Sequence, residues 1–274
     1  MKDFLNNKGL LTLIAGPCAL ESYENAIGIA KTLKSTAERL KIDYYFKVSI
    51  DKANRTSATH YRGLGFEKGL EILAQIKSES NVRIATDIHE PWQAKKIAEV
   101  ADIIQVPAFL CRQTDLLKAA AETGKIINVK KAQFMSPEEM VKVAEKLLYF
   151  GNEKILLCER GNSFGYNNLI VDMTGLVRLQ KHGFPVVFDA THSVQISGGG
   201  ANVSNSGASE YVPYLAKAAL ATGAVDALFL ETHNDPKNAL CDGSCMIELS
   251  KMEILLKKCI QIFELCKEDA NVCP

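Results

Sequence analysis

The sequence has no excess of either charge and no long apolar run. Its 274 residues include 32 basic and 32 acidic ones, so the formal net charge is zero. A balanced charge offers no overall attraction for nucleic acid or for an anionic membrane surface. Residues 1–13 lack the apolar core of a secretory signal, and no apolar stretch is long enough to span a bilayer. We therefore expect a cytoplasmic protein that binds neither nucleic acid nor membrane.

Two common sequence patterns are also missing. None of the eight cysteines forms the paired CxxC pattern of a zinc ribbon, and without an export signal we expect reduced thiols. We attribute the spacing of Cys241 and Cys245 to chance and to the use of cysteine as a small core residue. No G-x-G-x-x-G follows the first predicted strand, which disfavours a dinucleotide-binding fold. Since no linker or low-complexity segment interrupts the chain, we expect one domain over residues 1–274.

Strand-like and helix-like segments alternate along the chain. The predicted strands are residues 12–15, 44–48, 83–86, 103–106, 126–129, 155–158, 186–188 and 227–230. The predicted helices are residues 23–40, 66–78, 92–100, 114–122, 137–150, 169–181, 209–222 and 250–266. Short apolar strands of this kind are typical of a sheet buried on both faces. Eight such units predict an α/β protein with a single closed (β/α)8 barrel, with an open doubly wound sheet as the alternative.

Polar side chains follow the predicted strands, which is where barrel enzymes place their chemistry. Four cations occupy such positions: Lys47, Lys52, Lys130 and Arg160. With few compensating acids expected beside them, they indicate a site for phosphate and carboxylate groups. The alternative is that each one only solvates a loop tip. We expect Lys131 to be the solvated neighbour of Lys130, because successive residues of a strand point in opposite directions.

A second group of side chains has the chemistry of metal ligands. It consists of Cys18, His192, Glu231 and Asp242. These residues follow strands one, seven and eight, which are neighbours in a closed barrel, and they could together bind Zn²⁺, Fe²⁺ or Mn²⁺. No local spacing pattern supports the site, and Cys18 by itself could be a small buried residue. His89 and His233 are alternative ligands or acid–base groups, and Asp87 and Asp189 could orient ligands or a sugar, or cap turns.

Several motifs occur in a fixed order between about residue 12 and residue 250. They are GPCALES at 16–22, KANRTS at 52–57, TDIHE at 86–90, QVPAFL at 105–110, NVKKAQF at 128–134, ERG at 159–161, FDATHSVQ at 188–195 and CDG at 241–243. Together they resemble the 3-deoxy-D-manno-octulosonate-8-phosphate synthase family. Related barrel synthases that make 3-deoxy-D-arabino-heptulosonate 7-phosphate usually have Lys-Pro-Arg-Thr-Ser in the loop after strand two. The KANRTS sequence therefore favours the octulosonate family.

The resemblance implies a homotetrameric barrel enzyme of lipopolysaccharide inner-core sugar biosynthesis. Such an enzyme condenses phosphoenolpyruvate with D-arabinose 5-phosphate and water, and releases phosphate. The family's phosphoenolpyruvate positions match Lys52, Lys130 and Arg160, with Lys47, Gln105 and Ala108 nearby. Its arabinose-phosphate positions match Asn54, Arg55 and Thr56, the arginine reaching the aldose phosphate of a neighbouring subunit, and we add Asp87 as a substrate contact.

The resemblance also implies a divalent metal. Members with cysteine in the motif after strand one resemble the metal-dependent class, whereas those with asparagine there work without metal. Cys18 matches the metal-dependent class, and His192, Glu231 and Asp242 complete the ligand set. We take Lys52, His192 and Asp242 as the candidate catalytic residues.

One segment departs from the family pattern. The family often has Pro-Gly-Gly after the strand-seven motif and an arginine further on, whereas this chain has ISGGG at 196–200 and SGASEY at 206–211. Residues 198–209 are rich in Gly, Ser and Asn, which predicts a mobile loop. Two other functions stay open: a related synthase that uses erythrose 4-phosphate, and a catalytically silent barrel that binds a phosphorylated metabolite.

Overall fold

Eight parallel strands close into a barrel in the computed structural model, which describes residues 3–5, 9–55, 57–166, 168–195 and 209–268. The strands are β1 Thr12–Gly16, β2 Asp43–Lys47, β3 Arg83–Asp87, β4 Ile103–Val106, β5 Ile126–Lys130, β6 Ile155–Glu159, β7 Val186–Asp189 and β8 Ala227–His233. Each strand pairs with the next, and β1 also pairs with β8, so the sheet has no open edge between them. The closed (β/α)8 barrel is confirmed, and the open doubly wound sheet is wrong.

A helix follows each barrel strand. The helices are α1 Tyr23–Leu40, α2 Phe66–Ser80, α3 Pro91–Val100, α4 Thr114–Ala121, α5 Pro137–Tyr149, α6 Met173–Lys181, α7 Val212–Ala221 and α8 Leu249–Glu268. The start of α5 is as predicted, because the Ser136 side chain accepts a hydrogen bond from the Glu139 amide and proline occupies the first turn. In the described part of the chain, none of the helices is both long and apolar enough to cross a membrane.

Most of the apolar core lies in two layers. The larger layer lies between the strands and the surrounding helices, with Leu33, Leu73 and Leu147 among its fully buried members. The smaller layer fills the barrel interior towards the N-terminal ends of the strands, and it contains Leu5 of a short 3-10 helix together with Ile103 and Ala227. This end of the barrel is therefore closed by hydrocarbon. Polar chemistry can gather only at the opposite end, where the strands finish.

Two element boundaries differ from the prediction. The predicted helix at 169–181 begins later, because Asn168–Ile170 pairs antiparallel with Asn162–Phe164 and forms a hairpin after β6. Strand β8 continues to His233, since its last two residues pair with a short strand further along the chain. Glu231 therefore lies within β8 rather than after it. The hairpin strands are only three residues long, and the partner of His233 lies further along the chain, so the local apolar pattern misplaced both boundaries.

Candidate active site

The charged residues at the ends of the barrel strands are buried side by side. Lys47, Asp87, Lys130 and Asp189 are each the last residue of a strand, and none is more than 7% exposed. The carboxyl ends of parallel barrel strands meet at one end of the fold, so these side chains converge. Gly16 ends β1, and it allows the backbone of β2 to lie close by, because a Cβ there would be 2.1 Å from the carbonyl oxygen of Lys47.

Two of the four predicted cations are compensated by buried acids. Lys47 Nζ lies 3.5 Å from Glu231 Oε1. Lys130 Nζ donates to Asp189 Oδ2 and lies 3.5 Å from the centre of the Phe229 ring. The expectation of few compensating acids is therefore wrong for these two lysines. The reason is that β7 and β8 place carboxylates at the same end of the barrel as the lysines. These carboxylates are far from the lysines in sequence, so the sequence does not show that they pair.

The other two cations have no carboxylate within ion-pair distance among the described residues. Burial lowers the pKa of Lys52, but Cys18, Cys241 and the nearby carboxylates raise it well above its ordinary value, so the amine stays charged. Arg160 is 4% exposed, and its Nη2 donates to Gln195 Oε1 at 2.8 Å. Its Nη1 is buried without a hydrogen-bond partner. A buried donor of this kind is costly unless a ligand accepts from it, so Lys52 and Arg160 are suited to hold an anion.

Lys131 is fully buried, and the prediction that it is solvated is wrong. Its ammonium group donates to Asn162 Oδ1 at 2.7 Å and to the Met135 carbonyl at 3.2 Å, and it lies 3.4 Å from Glu159 Oε1. The side chain points away from Lys130, as strand alternation requires, but the loops after β5 and β6 cover it. It therefore ties these loops together rather than facing water.

The four predicted metal ligands come together at this end of the barrel. Cys18 Sγ lies 3.2 Å from Asp242 Oδ2. His192 Nε2 lies 3.5 Å from Glu231 Oε2 and 3.9 Å from Asp242 Oδ2. Two groups of candidate ligands share Asp242: Cys18, Cys241 and Asp242 form one, and His192, Glu231 and Asp242 form the other. Within each group the ligand atoms lie within 4.8 Å of one another, so each group could hold a divalent cation.

The carboxylate of Glu231 shows that these residues fit a cation. Glu231 is 0% exposed, and neither of its oxygens has a hydrogen-bond partner in the described part of the chain. An ionised carboxylate buried in this way needs cations around it, and the ammonium of Lys47 is 3.5 Å away. Sulfur, imidazole and carboxylate donors together suit a transition-metal ion such as Zn²⁺ or Fe²⁺.

Asp189 fixes the orientation of the His192 ring. Its Oδ2 lies 2.7 Å from His192 Nδ1, and its Oδ1 accepts from the His192 amide at 2.9 Å. Burial alone would raise the pKa of Asp189, but His192 and Lys130 hold it far below its ordinary value. The carboxylate therefore accepts a hydrogen bond at Nδ1 and leaves Nε2 to face Glu231. This is the arrangement by which proteins orient histidine ligands of metals.

A tight turn places Asp242 in the group. Asp242 has a φ of 49°, and a Cβ on the following Gly243 would lie 2.0 Å from the Pro236 carbonyl oxygen. Burial alone would raise the pKa of Asp242, but Lys52 and His192 lower it to about 2. The side chain is therefore a carboxylate at neutral pH.

The sequence model of the DAHP synthetase I family matches residues 3–268. The chain belongs to this family. Its similarity to individual members is also extensive. It is 50% identical over 260 residues to a protein of Fusobacterium nucleatum, with 95% of this chain and 93% of the relative covered. It is 51% identical over 269 residues to a protein of Rickettsia bellii, with 98% and 97% covered.

Both of these relatives are named 2-dehydro-3-deoxyphosphooctonate aldolase. A Cyanothece protein of the same name is 52% identical over 250 residues, with 91% of each chain covered. The family resemblance inferred from the sequence motifs is thereby confirmed. Within the DAHP synthetase I family, the relatives' names also favour the octulosonate enzyme over the heptulosonate one.

The remaining predicted substrate residues of this DAHP synthetase I chain are divided between the site and its rim. Gln105 is buried and accepts from Asn128 Nδ2 at 3.1 Å. Arg55 Nη1 lies 3.9 Å from Asp242 Oδ1. Asn54 is exposed in the loop after β2, and Ala108 is half-buried in a 3-10 helix after β4. Thr56, and most of the atypical segment at 196–211, lie outside the described residues.

The two alternative histidines lie beside the ligand group rather than in it. His89 Nε2 is 3.5 Å from Asp87 Oδ2, and Asp87 Oδ1 is buried without a partner among the described residues. His233 Nε2 is 3.4 Å from Glu21 Oε2. Neither belongs to the groups of candidate ligands found in the described residues. The structure thus favours His192 as the imidazole of the site.

One residue of the site was missed by the sequence interpretation. Cys241 is 2% exposed, and its Sγ lies 3.1 Å from Cys18 Sγ and 3.4 Å from Asp242 Oδ2. Cys241 packs in a small apolar cluster with Cys18, Ala19 and Met246, as expected of a core residue, but it also belongs to a group of candidate ligands. Its position next to Asp242 in the CDG motif is the sequence signal for this second role.

We expect acid to lower the stability of this protein, in its metal-free form, below about pH 4. Burial alone would raise the pKa of Asp87, Asp189, Glu231 and Asp242, but neighbouring cations hold each one below its ordinary value. A carboxylate with a lowered pKa stabilises the fold fully above its unfolded-state pKa, about 3.9 for Asp and 4.3 for Glu. That stabilisation is lost as the pH falls through the folded-state pKa.

The measurement is the melting temperature of chelator-treated protein between about pH 6 and about pH 3. We expect a steep fall below about pH 4, and a shallower fall for Asp242→Asn, which removes one of the four titrating groups. A melting temperature that stays constant over this range would show that these carboxylates do not have lowered pKa values.

Proposed function

We propose that the chain is a synthase that condenses phosphoenolpyruvate with D-arabinose 5-phosphate and water. The products are 3-deoxy-D-manno-octulosonate 8-phosphate and phosphate, which assigns the enzyme to lipopolysaccharide inner-core sugar biosynthesis. The names of its relatives support this activity. The structural observation that carries it is the pair of buried cations without carboxylate partners, Lys52 and Arg160, next to a thiol, an imidazole and two carboxylates.

Phosphoenolpyruvate fits the cationic half of the site. Its phosphate and carboxylate need donors that are not already neutralised, and Lys52 and Arg160 Nη1 meet that need among the described residues. Lys130 and Lys47 also contribute positive charge to this end of the barrel, although each is paired with a carboxylate. We assign Gln105 and Ala108 to the wall beside this substrate.

D-Arabinose 5-phosphate fits the half of the site formed by the loop after β2. Arg55 is 16% exposed, and its Nε is buried without a hydrogen-bond partner in the described part of the chain, so its guanidinium can bind the aldose phosphate of a neighbouring subunit. We assign Asn54 and Thr56 to the same phosphate. Asp87 Oδ1, which is buried without a partner among the described residues, can accept from a sugar hydroxyl.

We propose that Cys18, His192, Glu231 and Asp242 hold a divalent ion such as Zn²⁺, Fe²⁺ or Mn²⁺. When bound, such an ion supplies Lewis acidity to the aldehyde or to a water molecule. Burial and a hydrogen bond with Cys241 raise the pKa of Cys18 well above its ordinary value, so the free thiol keeps its proton. Metal binding would therefore release this proton, which makes the affinity dependent on pH.

The chain's own residues align the reactants. Carbon 3 of the enol phosphate must attack the aldehyde carbon while water adds at carbon 2, so three species have to be held together. Lys52 is charged and lies among Cys18, Glu231 and Asp87, where it can donate a hydrogen bond from Nζ to an oxygen that gains negative charge. His192 and Asp242 are our candidates for moving the proton, through atoms that do not hold the ion, such as Asp242 Oδ1.

We further propose that residues 1–274 act as one catalytic domain in a cytoplasmic homotetramer. Three exposed aromatic side chains support a contact with other subunits: Phe109 at 62%, Phe134 at 66% and Phe164 at 66% exposure. They lie in the segments that follow β4, β5 and β6, and exposed aromatic side chains are enriched at protein interfaces.

The test is phosphate release from phosphoenolpyruvate with each of two aldoses, using protein stripped by a chelator and then given Zn²⁺ or Mn²⁺. We expect turnover with arabinose 5-phosphate that disappears on stripping and returns with metal. Faster turnover with erythrose 4-phosphate would identify the heptulosonate activity instead. Substrate binding without turnover under any metal condition would identify a silent barrel. Turnover that survives verified metal removal would keep the synthase and refute the metal requirement.

A further inference from the structure

The candidate metal centre has a second sulfur atom within reach. Cys241 Sγ lies 3.1 Å from Cys18 Sγ and 3.4 Å from Asp242 Oδ2. The ligand atoms of these three residues all lie within 4.8 Å of one another. Both cysteines are almost completely buried, at 1% and 2% exposure. The sulfur of Cys241 therefore faces the same small volume as the ligand atoms already assigned.

The surroundings of Cys241 differ from those of a cysteine that only fills space. Its sulfur accepts a hydrogen bond from Arg55 Nη1 at 2.7 Å and touches a second thiol and a carboxylate. Cys259 in α8 shows the contrast, because it is 0% exposed and belongs to the main apolar core. A weakly polar thiol placed among charged groups is in the environment of a ligand or a reactive group rather than of a core residue.

The backbone explains how two successive side chains reach one centre. Neighbouring residues of an extended strand point in opposite directions. Asp242 instead adopts a left-handed φ of 49°, and Gly243 packs so closely on Pro236 that no side chain would fit. The resulting tight turn presents the Cys241 and Asp242 side chains to Cys18 together. A residue in a left-handed conformation is costly unless the surrounding structure requires it.

We propose that Cys241 is a second sulfur ligand of the metal centre. The proposal rests on the proposed function, because it takes Cys18, His192, Glu231 and Asp242 as the other ligands. Two sulfurs beside one imidazole and two carboxylates make the donor set softer than a single thiolate does. Softer donors favour thiophilic ions such as Zn²⁺, Co²⁺ or Cd²⁺ over Mn²⁺. The residue thus selects the metal.

The test is a Co²⁺ titration of chelator-stripped, reduced protein, followed by the sulfur-to-cobalt charge-transfer absorption in the near ultraviolet. We expect Cys18→Ala and Cys241→Ala each to keep about half of the wild-type absorption, and the double variant to have none. Cys259→Ala is the matched control, because it removes a buried thiol outside the site, and it should keep the full absorption. In competition experiments Cys241→Ala should lower Zn²⁺ affinity at least about tenfold and change Mn²⁺ affinity much less.

The outcomes separate this inference from the proposed function. Full absorption in Cys241→Ala, with an unchanged preference for Zn²⁺ over Mn²⁺, would refute the second sulfur ligand and leave the synthase intact. A wild-type protein that binds no Co²⁺ would refute the metal centre itself, whatever the role of Cys241. Circular dichroism verifies folding, and Cys241→Ser, which keeps the side-chain volume, replaces the alanine variant if that variant does not fold.

Discussion

Replacing Arg160 by methionine is expected to lower kcat/KM for phosphoenolpyruvate by about a thousandfold while leaving the protein at least as stable as the wild type. Arg160 is 4% exposed, and no carboxylate of the described residues lies within ion-pair distance of it. Burial lowers the pKa of Arg160, and the attraction of Asp189, Glu159 and Asp242 only partly offsets this effect. Removing the guanidinium removes a substrate-binding donor and also removes an uncompensated buried charge.

Lys130→Met is the matched comparison. Lys130 is equally buried, but its ammonium group binds Asp189, whose carboxylate would be left unpaired by the substitution. We expect this variant to lose activity and also about 3–5 kcal/mol of unfolding free energy. Steady-state phosphate release and chemical unfolding measure the two quantities. Equal loss of stability in both variants would show that Arg160 is held by a partner within the protein rather than reserved for substrate.

Glu231→Gln is expected to abolish stable metal binding. The activity should therefore fall at least about a thousandfold. The substitution keeps the size of the side chain and removes only its charge. Glu231 Oε2 lies 3.5 Å from His192 Nε2, Oε1 lies 3.5 Å from Lys47 Nζ, and neither oxygen has a hydrogen-bond partner among the described residues. The amide of glutamine would remove the charge that attracts a cation there. Elemental analysis of the dialysed protein measures bound metal, and phosphate release measures activity.

Glu21→Gln provides the control for this variant. Glu21 belongs to the same end of the barrel, where it accepts from the Leu240 amide at 2.8 Å and lies 3.4 Å from His233. Its carboxylate is not part of the ligand groups found in the described residues, so metal content should stay at the wild-type level. Retention of full metal content in Glu231→Gln would contradict the assignment of Glu231 as a ligand.

The barrel could be predicted from the sequence because its signals are local. Each strand is a short apolar run, and each helix has its own start and stop residues, such as Ser136 and Pro137 before α5. The hairpin after β6 could not be predicted in the same way. Its two strands, Asn162–Phe164 and Asn168–Ile170, are three residues long and pair only with each other, so no repeated pattern distinguishes them from a helix start.

The candidate ligands could also be named in advance, since one rule places chemistry at the ends of barrel strands. That rule predicts Cys18, His192 and Asp242 from their positions after the strands alone. It failed for Cys241, because cysteine is also a common core residue and only the distance to Cys18 distinguishes the two roles. It failed again for Lys131, whose burial depends on loops that cover it from β5 and β6.

The sequence by itself determined the fold, the family and the kinds of side chain at the mouth of the barrel. These follow from periodicity, turn residues and motifs, all of which are read within a few residues of one another. Only the tertiary structure decided which charges neutralise each other. Lys130 pairs with Asp189 and Lys47 with Glu231, whereas Lys52 and Arg160 have no carboxylate within ion-pair distance in the described part of the chain. Electrostatic energy depends on the distance between atoms rather than on separation along the chain, so this division existed only once the barrel had closed.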